Sequence, residues 1–294
     1  MRLTISHRTL YRFSRPLTDV VQLLRLTPLS CLNQTVLDWR IDVDCNARLR
    51  EARDGYGNVV HALYVDEPVT ALSITASGQV VTDDRAGIVS GLPGELPPAV
   101  FMRSTDLTAP DQALRALAAE IAVGRPSPLD RLHALSAALH EGLAFDTESS
   151  DASTPAATAF KAGRGVCQDF THIFIAVARA AGIPARYVSG HLYRRDGSGT
   201  QPASHAWAEA WAPDLGWIAF DPTNGICADD AYVRIAAGLD YGDVAPIVGA
   251  RRGGGTEEIS VEVQVIQSPR TTRLQQSGKG RGWQSQSQSQ SQGG

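Results

Sequence analysis

Cysteine is scarce in this chain. There are four in 294 residues, Cys31, Cys45, Cys167 and Cys227, and no two form a CxxC pair, which argues against both a disulfide scaffold and a cysteine-ligated zinc site. Long apolar runs are missing as well: none approaches the roughly 18 residues of a membrane helix. The opening MRLTISHRTLYRF lacks the apolar stretch of about 7–15 residues that a signal peptide carries, so no membrane association and a cytoplasmic location are expected. Basic residues are too few for a nucleic-acid surface. The net charge is −4, with 27 Lys and Arg against 31 Asp and Glu, and Arg270, Arg273, Lys279 and Arg281 lie beyond Gln267 with no acidic residue among them. The preceding 266 residues are therefore more acidic than the whole, and nucleic acid is excluded as the main partner.

What is present is an ordinary globular composition, 43% hydrophobic and 20% charged, in a chain long enough for two domains. Residues 1–98 contain alternating or β-branched stretches at Leu3 to Phe13, Thr35 to Val43, Val59 to Val65 and Val69 to Val81. DGYGN (Asp54 to Asn58) supplies a turn between the second and third of these. This block reads as a small antiparallel, sandwich-like β domain. GLPGELPP (Gly91 to Pro98) reads as a linker, and beyond it the period becomes helical. Helices are expected over Asp111 to Val123 and over Pro128 to Leu143, with Ser127 placed to cap the second. A third runs from Pro155 to Lys161, and a long apolar helix follows AGRG (Ala162 to Gly165) and stops at Gly182. Period-two strands follow at Ala185 to Tyr193, Ser204 to Ala212 and Gly216 to Pro222. Residues 99–266 are thus an α+β domain, and residues 267–294, ending in SQSQSQSQGG, read as a disordered tail.

Cys167 is the most informative residue. It follows Gly163 and Gly165 at the start of the apolar helix, where free backbone N–H groups and the helix dipole favour a thiolate. Its own N–H is a candidate oxyanion donor. A cysteine nucleophile needs a base and a group that orients it. His205 opens one strand and Asp221 ends the next, so a hairpin through APDLG would bring them together. Other residues have plainer roles. Asp169 points away from Cys167 on a helix and reads as structural or capping, and His172 has no better assignment. His191 and Trp207 are the candidate substrate contacts, Trp207 as a cleft-wall aromatic like Trp217. Cys31, Cys45 and Cys227 have no reactive context. A metal site is disfavoured, because Cys167, His205 and Asp221 have no close ligand partners in sequence.

GRGVCQDFTHIFIAVARAAGIPARYVSGHLY and SHAWAEAWAPDLGWIAFDPTNG together resemble the core of the bacterial transglutaminase-like family, relatives of papain-type cysteine proteases. The N-terminal block, with LYRFSRPL, LLRLTPL and DGYGN, is similar to the β-rich domain that accompanies this core in bacteria. The resemblance implies a papain-like transglutaminase core, helices on an antiparallel sheet, with Cys167 as nucleophile, His205 as base and Asp221 as orienting carboxylate. It implies no cofactor and no metal. It leaves open the second oxyanion donor, the role of the N-terminal domain and the oligomeric state.

The expected chemistry is a thioester formed from an amide of a peptide or protein substrate. Hydrolysis of that thioester makes a peptidase or amidase, and this is the preferred outcome; capture by an amine makes a transglutaminase. The rival expectation is a non-catalytic module that holds a peptide or protein.

Overall fold

The computed structural model describes residues 1–268. Its first strand, β1 (Arg2–Thr27), is the longest element and organises the N-terminal half. Inward positions alternate from Leu3 through Ile5, His7 and Thr9 to Tyr11 and Phe13. At Pro16, which has no N–H for a ladder, the register breaks and β1 changes partners. Before the break it pairs with β5 (Val69–Thr82) and with the C-terminal β16 (Glu257–Gln267). After it the partners are β4 (Val59–Val65) and β15 (Ile247–Gly253). β2 (Gln34–Val43) extends the sheet from β5, and β3 (Arg48–Arg53) extends it from β4. The sheet is antiparallel throughout and curls around Leu17, Val20, Leu24, Leu63, Leu72 and Ile74.

β15 and β16 belong to this sheet, although the sequence division places residues 247–266 with the second domain and Gln267 with the tail. Gln267 is the last residue of β16 and stands opposite Leu3. The alternation of Val261, Val263 and Val265 specifies a strand without specifying its sheet. The remainder of the expected tail, past Ser268, lies outside the described residues.

The second sheet runs β13 (Ile226–Cys227), β12 (Gly216–Asp221), β11 (His205–Ala212), β9 (Ala185–Leu192), β14 (Tyr232–Gly238), with β6 (Ile88–Val89) added to β12. α4 (Cys167–Ala180) packs across β11 and β9 and is buried from Asp169 to Arg179. Around it lie α1 (Gln112–Ala122), α2 (Pro128–Gly142) and α3 (Ala156–Ala162). The Asp111 side chain caps α1 by accepting from the Leu114 N–H. Ser127 makes no such bond at α2, so the expected cap is absent; Pro128 at the first helical position has no N–H to satisfy. α4 ends at Gly182, with φ +80°, and the Ile183 N–H returns to the Ala178 carbonyl. A short parallel pair, β7 (Ala144–Phe145) with β8 (Arg164–Gly165), sits just before α4, while β10 (Thr200–Gln201) reaches across to β16 and α5 (Tyr241–Val244) follows β14.

One hydrophobic core joins the two halves. Leu3, Ile5, Val80, Val263 and Val265 of the first sheet pack in the same cluster as Phe174 and Val177 of α4 and Val233 of the second sheet. The expected linker is also packed, with Leu92 and Leu96 resting on a cluster that contains Phe101, Trp207 and Trp217. Among the described residues, no helix is long and apolar enough to cross a membrane.

Candidate active site

The backbone before Cys167 is shaped by two glycines with different duties. Gly163 ends α3 in the left-handed region, φ +68°, and reverses the chain. Gly165 is needed for space: a Cβ there would stand 2.6 Å from both Cβ and Oδ2 of Asp169. Asp169 Oδ2 accepts from the Val166 N–H at 2.8 Å and from the Ser150 hydroxyl at 2.5 Å. Asp169 is therefore the anchor of the first turn of α4, matching its expected structural role, and burial pushes its carboxyl up against these bonds. Cys167 is the first residue of α4, half-buried, and its carbonyl accepts from the Thr171 hydroxyl at 2.7 Å. Its N–H stands among the opening donors of the helix, which have no partner inside the helix.

His205 and Asp221 come together through the β11–β12 hairpin. Ala212 stands opposite Gly216 and Ala208 opposite Phe220, so Trp207 faces Asp221 and His205 is its diagonal neighbour on the same face. His205 Nε2 donates to Asp221 Oδ2 at 2.6 Å. The Cys167 side chain lies near enough to this imidazole to bear on its charge. With Nε2 on the carboxylate, Nδ1 is the ring nitrogen left for sulfur.

Asp221 is 0% exposed and receives five donors. Oδ2 accepts from His205, from the Tyr232 hydroxyl at 2.7 Å and from Asn224 Nδ2 at 2.7 Å. Oδ1 accepts from the N–H groups of Thr223 and Asn224, at 3.0 and 3.2 Å. Burial alone would raise its pKa, but the His205 charge and these bonds hold it below the usual carboxylate range. For His205, burial pushes the imidazole down, and the Asp221 charge and hydrogen bond, with Cys167 adding to them, carry it up to about 10. The site therefore sets an imidazole raised towards its charged form near a thiol at a helix start, an arrangement that could serve attack on a carbonyl and protonation of a leaving group.

His191 and Trp207, the expected substrate contacts, are both buried. His191 is 2% exposed, and its ring meets His7 edge-on at 5.4 Å. Trp207, also 2% exposed, lies behind His205, packed on Tyr232 and against Gly190. Strand alternation fixes which face a side chain takes but not what covers that face. His172 is buried against Tyr187 and accepts from the Tyr241 N–H at 3.2 Å. All four cysteines are free thiols, and no group of three metal-type ligands forms among the described residues. Two residues that hold Asp221 escaped the sequence reading. Asn224 carries a local signal, an Asx-type turn in DPTNG; Tyr232 carries none, because it arrives from β14.

Comparison with known proteins places the chain in a family. Residues 115–222, which include Cys167, His205 and Asp221, match the transglutaminase-like superfamily. Residues 3–81 match the bacterial transglutaminase-like N-terminal region. An uncharacterized protein of Mycobacterium leprae is 33% identical over 277 residues, covering 90% of this chain and 99% of that protein. A protein-glutamine gamma-glutamyltransferase of Pseudomonas aeruginosa is 35% identical over 91 residues, 28% of this chain and 12% of the relative. The crystal structure of a candidate cysteine protease from Cytophaga hutchinsonii shares the fold, with a TM-score of 0.72, 22% identity and 92% of each chain covered. With matches to both its N-terminal and core regions, and a relative aligned over nearly its whole length, the chain belongs to the bacterial transglutaminase-like family.

Proposed function

We propose that the protein is a cysteine-dependent enzyme that cleaves amide bonds of peptides or proteins, with Cys167 as nucleophile, His205 as acid and base and Asp221 as the orienting carboxylate. The observation that carries this reading is the 2.6 Å bond from His205 Nε2 to a buried Asp221, in a fold that sets Cys167 at the first position of α4. Cys167 sulfur attacks the substrate carbonyl carbon, and the developing oxyanion is placed by the Cys167 N–H. As the C–N bond breaks, His205 gives its proton to the departing amine and a thioester remains. Water then attacks the thioester, His205 takes its proton, and the carboxylic product leaves with the thiolate restored.

Hydrolysis is favoured over transfer because Cys167 is only half-buried, which leaves the thioester open to water. The similarity to a protein-glutamine gamma-glutamyltransferase supports amine capture as the second outcome of the same intermediate. Mass spectrometry of the protein with a mixed peptide pool, with and without a primary amine, tests both. Cleaved or deamidated peptides are expected, absent with Cys167→Ala; amine adducts would establish transfer instead. Identical products from wild type and Cys167→Ala would leave the binding-module reading in its place.

A further inference from the structure

His205 is the first residue of β11, and its pairing with Gly190 is the last rung between β11 and β9. The final rung of a ladder frays unless something outside the strand pair holds it. Yet an imidazole that serves a thiol must be held to about 0.5 Å. The brace comes from the N-terminal sheet. In the connection from β9 to β11, Thr200 and Gln201 pair with Gln264 and Val263 of β16, and the Gly199 carbonyl accepts from the Val265 N–H at 3.3 Å. Gln201 Nε2 donates back to the Leu192 carbonyl at 2.7 Å, closing the connection on itself. β16 in turn lies against β1, with Val263 opposite His7.

The His7 side chain completes this contact. It is 2% exposed, and its Nδ1 stands 3.5 Å from the hydroxyl of Ser204, the residue immediately before His205. Its ring meets that of His191, which neighbours Gly190, the partner of His205. His7 therefore touches both strands of the last rung. Gly190 leaves the rung no slack on the other side, since a Cβ there would lie 2.5 Å from Trp207.

We propose that His7 is a positioning residue for His205, and that the N-terminal sheet acts on the active site by holding the Ser204–His205 end of β11 through His7 and the β10–β16 pairing. This rests on the reading of His205 as the base. The test is the rate at which iodoacetamide alkylates Cys167 in the full chain at neutral pH, followed by intact mass, with the thermal midpoint measured on the same samples. His7→Leu fills the volume without a polar atom and should slow alkylation about tenfold, towards the rate of His205→Ala. His7→Asn, which keeps a polar atom where Nδ1 stands, should restore most of the rate, a recovery that packing alone would not produce. Ser204→Ala removes the hydroxyl and leaves the core intact, and should slow alkylation several-fold; it decides the matter if His7→Leu fails to fold. Wild-type rates in His7→Leu, or in Ser204→Ala where that variant decides, overturn the proposal while leaving His205 as base. A wild-type rate equal to that of His205→Ala removes the base itself, and the brace with it.

Discussion

Tyr232 donates its hydroxyl to the same Asp221 oxygen that receives the His205 Nε2–H, at 2.7 Å against 2.6 Å. Burial and the Asp221 charge push the Tyr232 phenol well above its ordinary value, so it remains a donor throughout the neutral range. A strand outside the hairpin thereby fixes the carboxylate that holds the His205 ring.

Tyr232→Phe removes this donor and leaves the Asn224 and backbone bonds in place. A hydrogen bond to a charged group contributes about 1.5–3 kcal/mol, and the remaining donors absorb part of its loss. Alkylation of Cys167 at neutral pH should fall about tenfold with little change in thermal midpoint. An unchanged rate would show that Asp221 holds its orientation without Tyr232.

Acid should destabilise the protein well before its carboxylates titrate. Burial lowers His7 to about 4, burial and the Arg179 charge lower His172 to about 3, and burial with the neighbouring His7 lowers His191. Between these values and the unfolded value near 6.5, the unfolded chain binds protons that the folded chain refuses. Stability is then full above about pH 6.5 and falls as pH drops, by up to roughly 1.4 kcal/mol per unit for each histidine. His205 has the opposite sign: raised to about 10, it contributes fully below about pH 6.5 and loses that contribution as pH climbs. The thermal midpoint should drop from pH 7 to pH 5, and His7→Asn should flatten the drop. A midpoint constant over that range would mean these histidines are protonated in the fold.

The parts of the site that were legible in the sequence are those built from neighbours in the chain. A glycine-flanked helix start identifies Cys167, and two strands joined by APDLG make His205 and Asp221 meet without knowledge of the rest of the fold. Tyr232 reaches Asp221 only because β14 lies on the far side of β9, a pairing no local pattern encodes. β16 is equally silent: its alternation is plain, but its partner β1 is at the other end of the chain. His191 shows the same limit within one strand, since its parity was readable and the presence of His7 against that face was not.

Glu209 sits on β11 between two guanidinium groups, with Arg186 Nε at 2.5 Å and Arg234 Nε at 2.9 Å. It is fully buried, and Arg186 also lies over the Trp217 ring at 3.9 Å. Glu209→Ala leaves buried cations without their counter-charge, which costs about 3–5 kcal/mol. Urea unfolding should show a lowered midpoint with an unchanged slope. A loss below about 1 kcal/mol would mean that water or Glu95 neutralises Arg186 in its place.

Gly163 and Gly165 offer a paired test of what places Cys167. At Gly163 a Cβ would meet nothing within 4 Å, so Gly163→Ala is opposed only by the left-handed backbone, by about 1–2 kcal/mol. Stability should fall by that amount, and Cys167 alkylation should stay near the wild-type rate because α4 keeps its start. At Gly165 the backbone is not left-handed, and the obstacle is Asp169, 2.6 Å from the added methyl. Relief requires the first turn of α4 to move away from β8, lengthening the bond from the Val166 N–H to Asp169 and carrying Cys167 away from His205. Gly165→Ala should therefore slow alkylation by tenfold or more, on the order of the loss from a misplacement of about 1 Å, with a stability loss of about 1–3 kcal/mol. If both variants alkylate at the same rate relative to wild type, the contact with Asp169 does not set the position of Cys167.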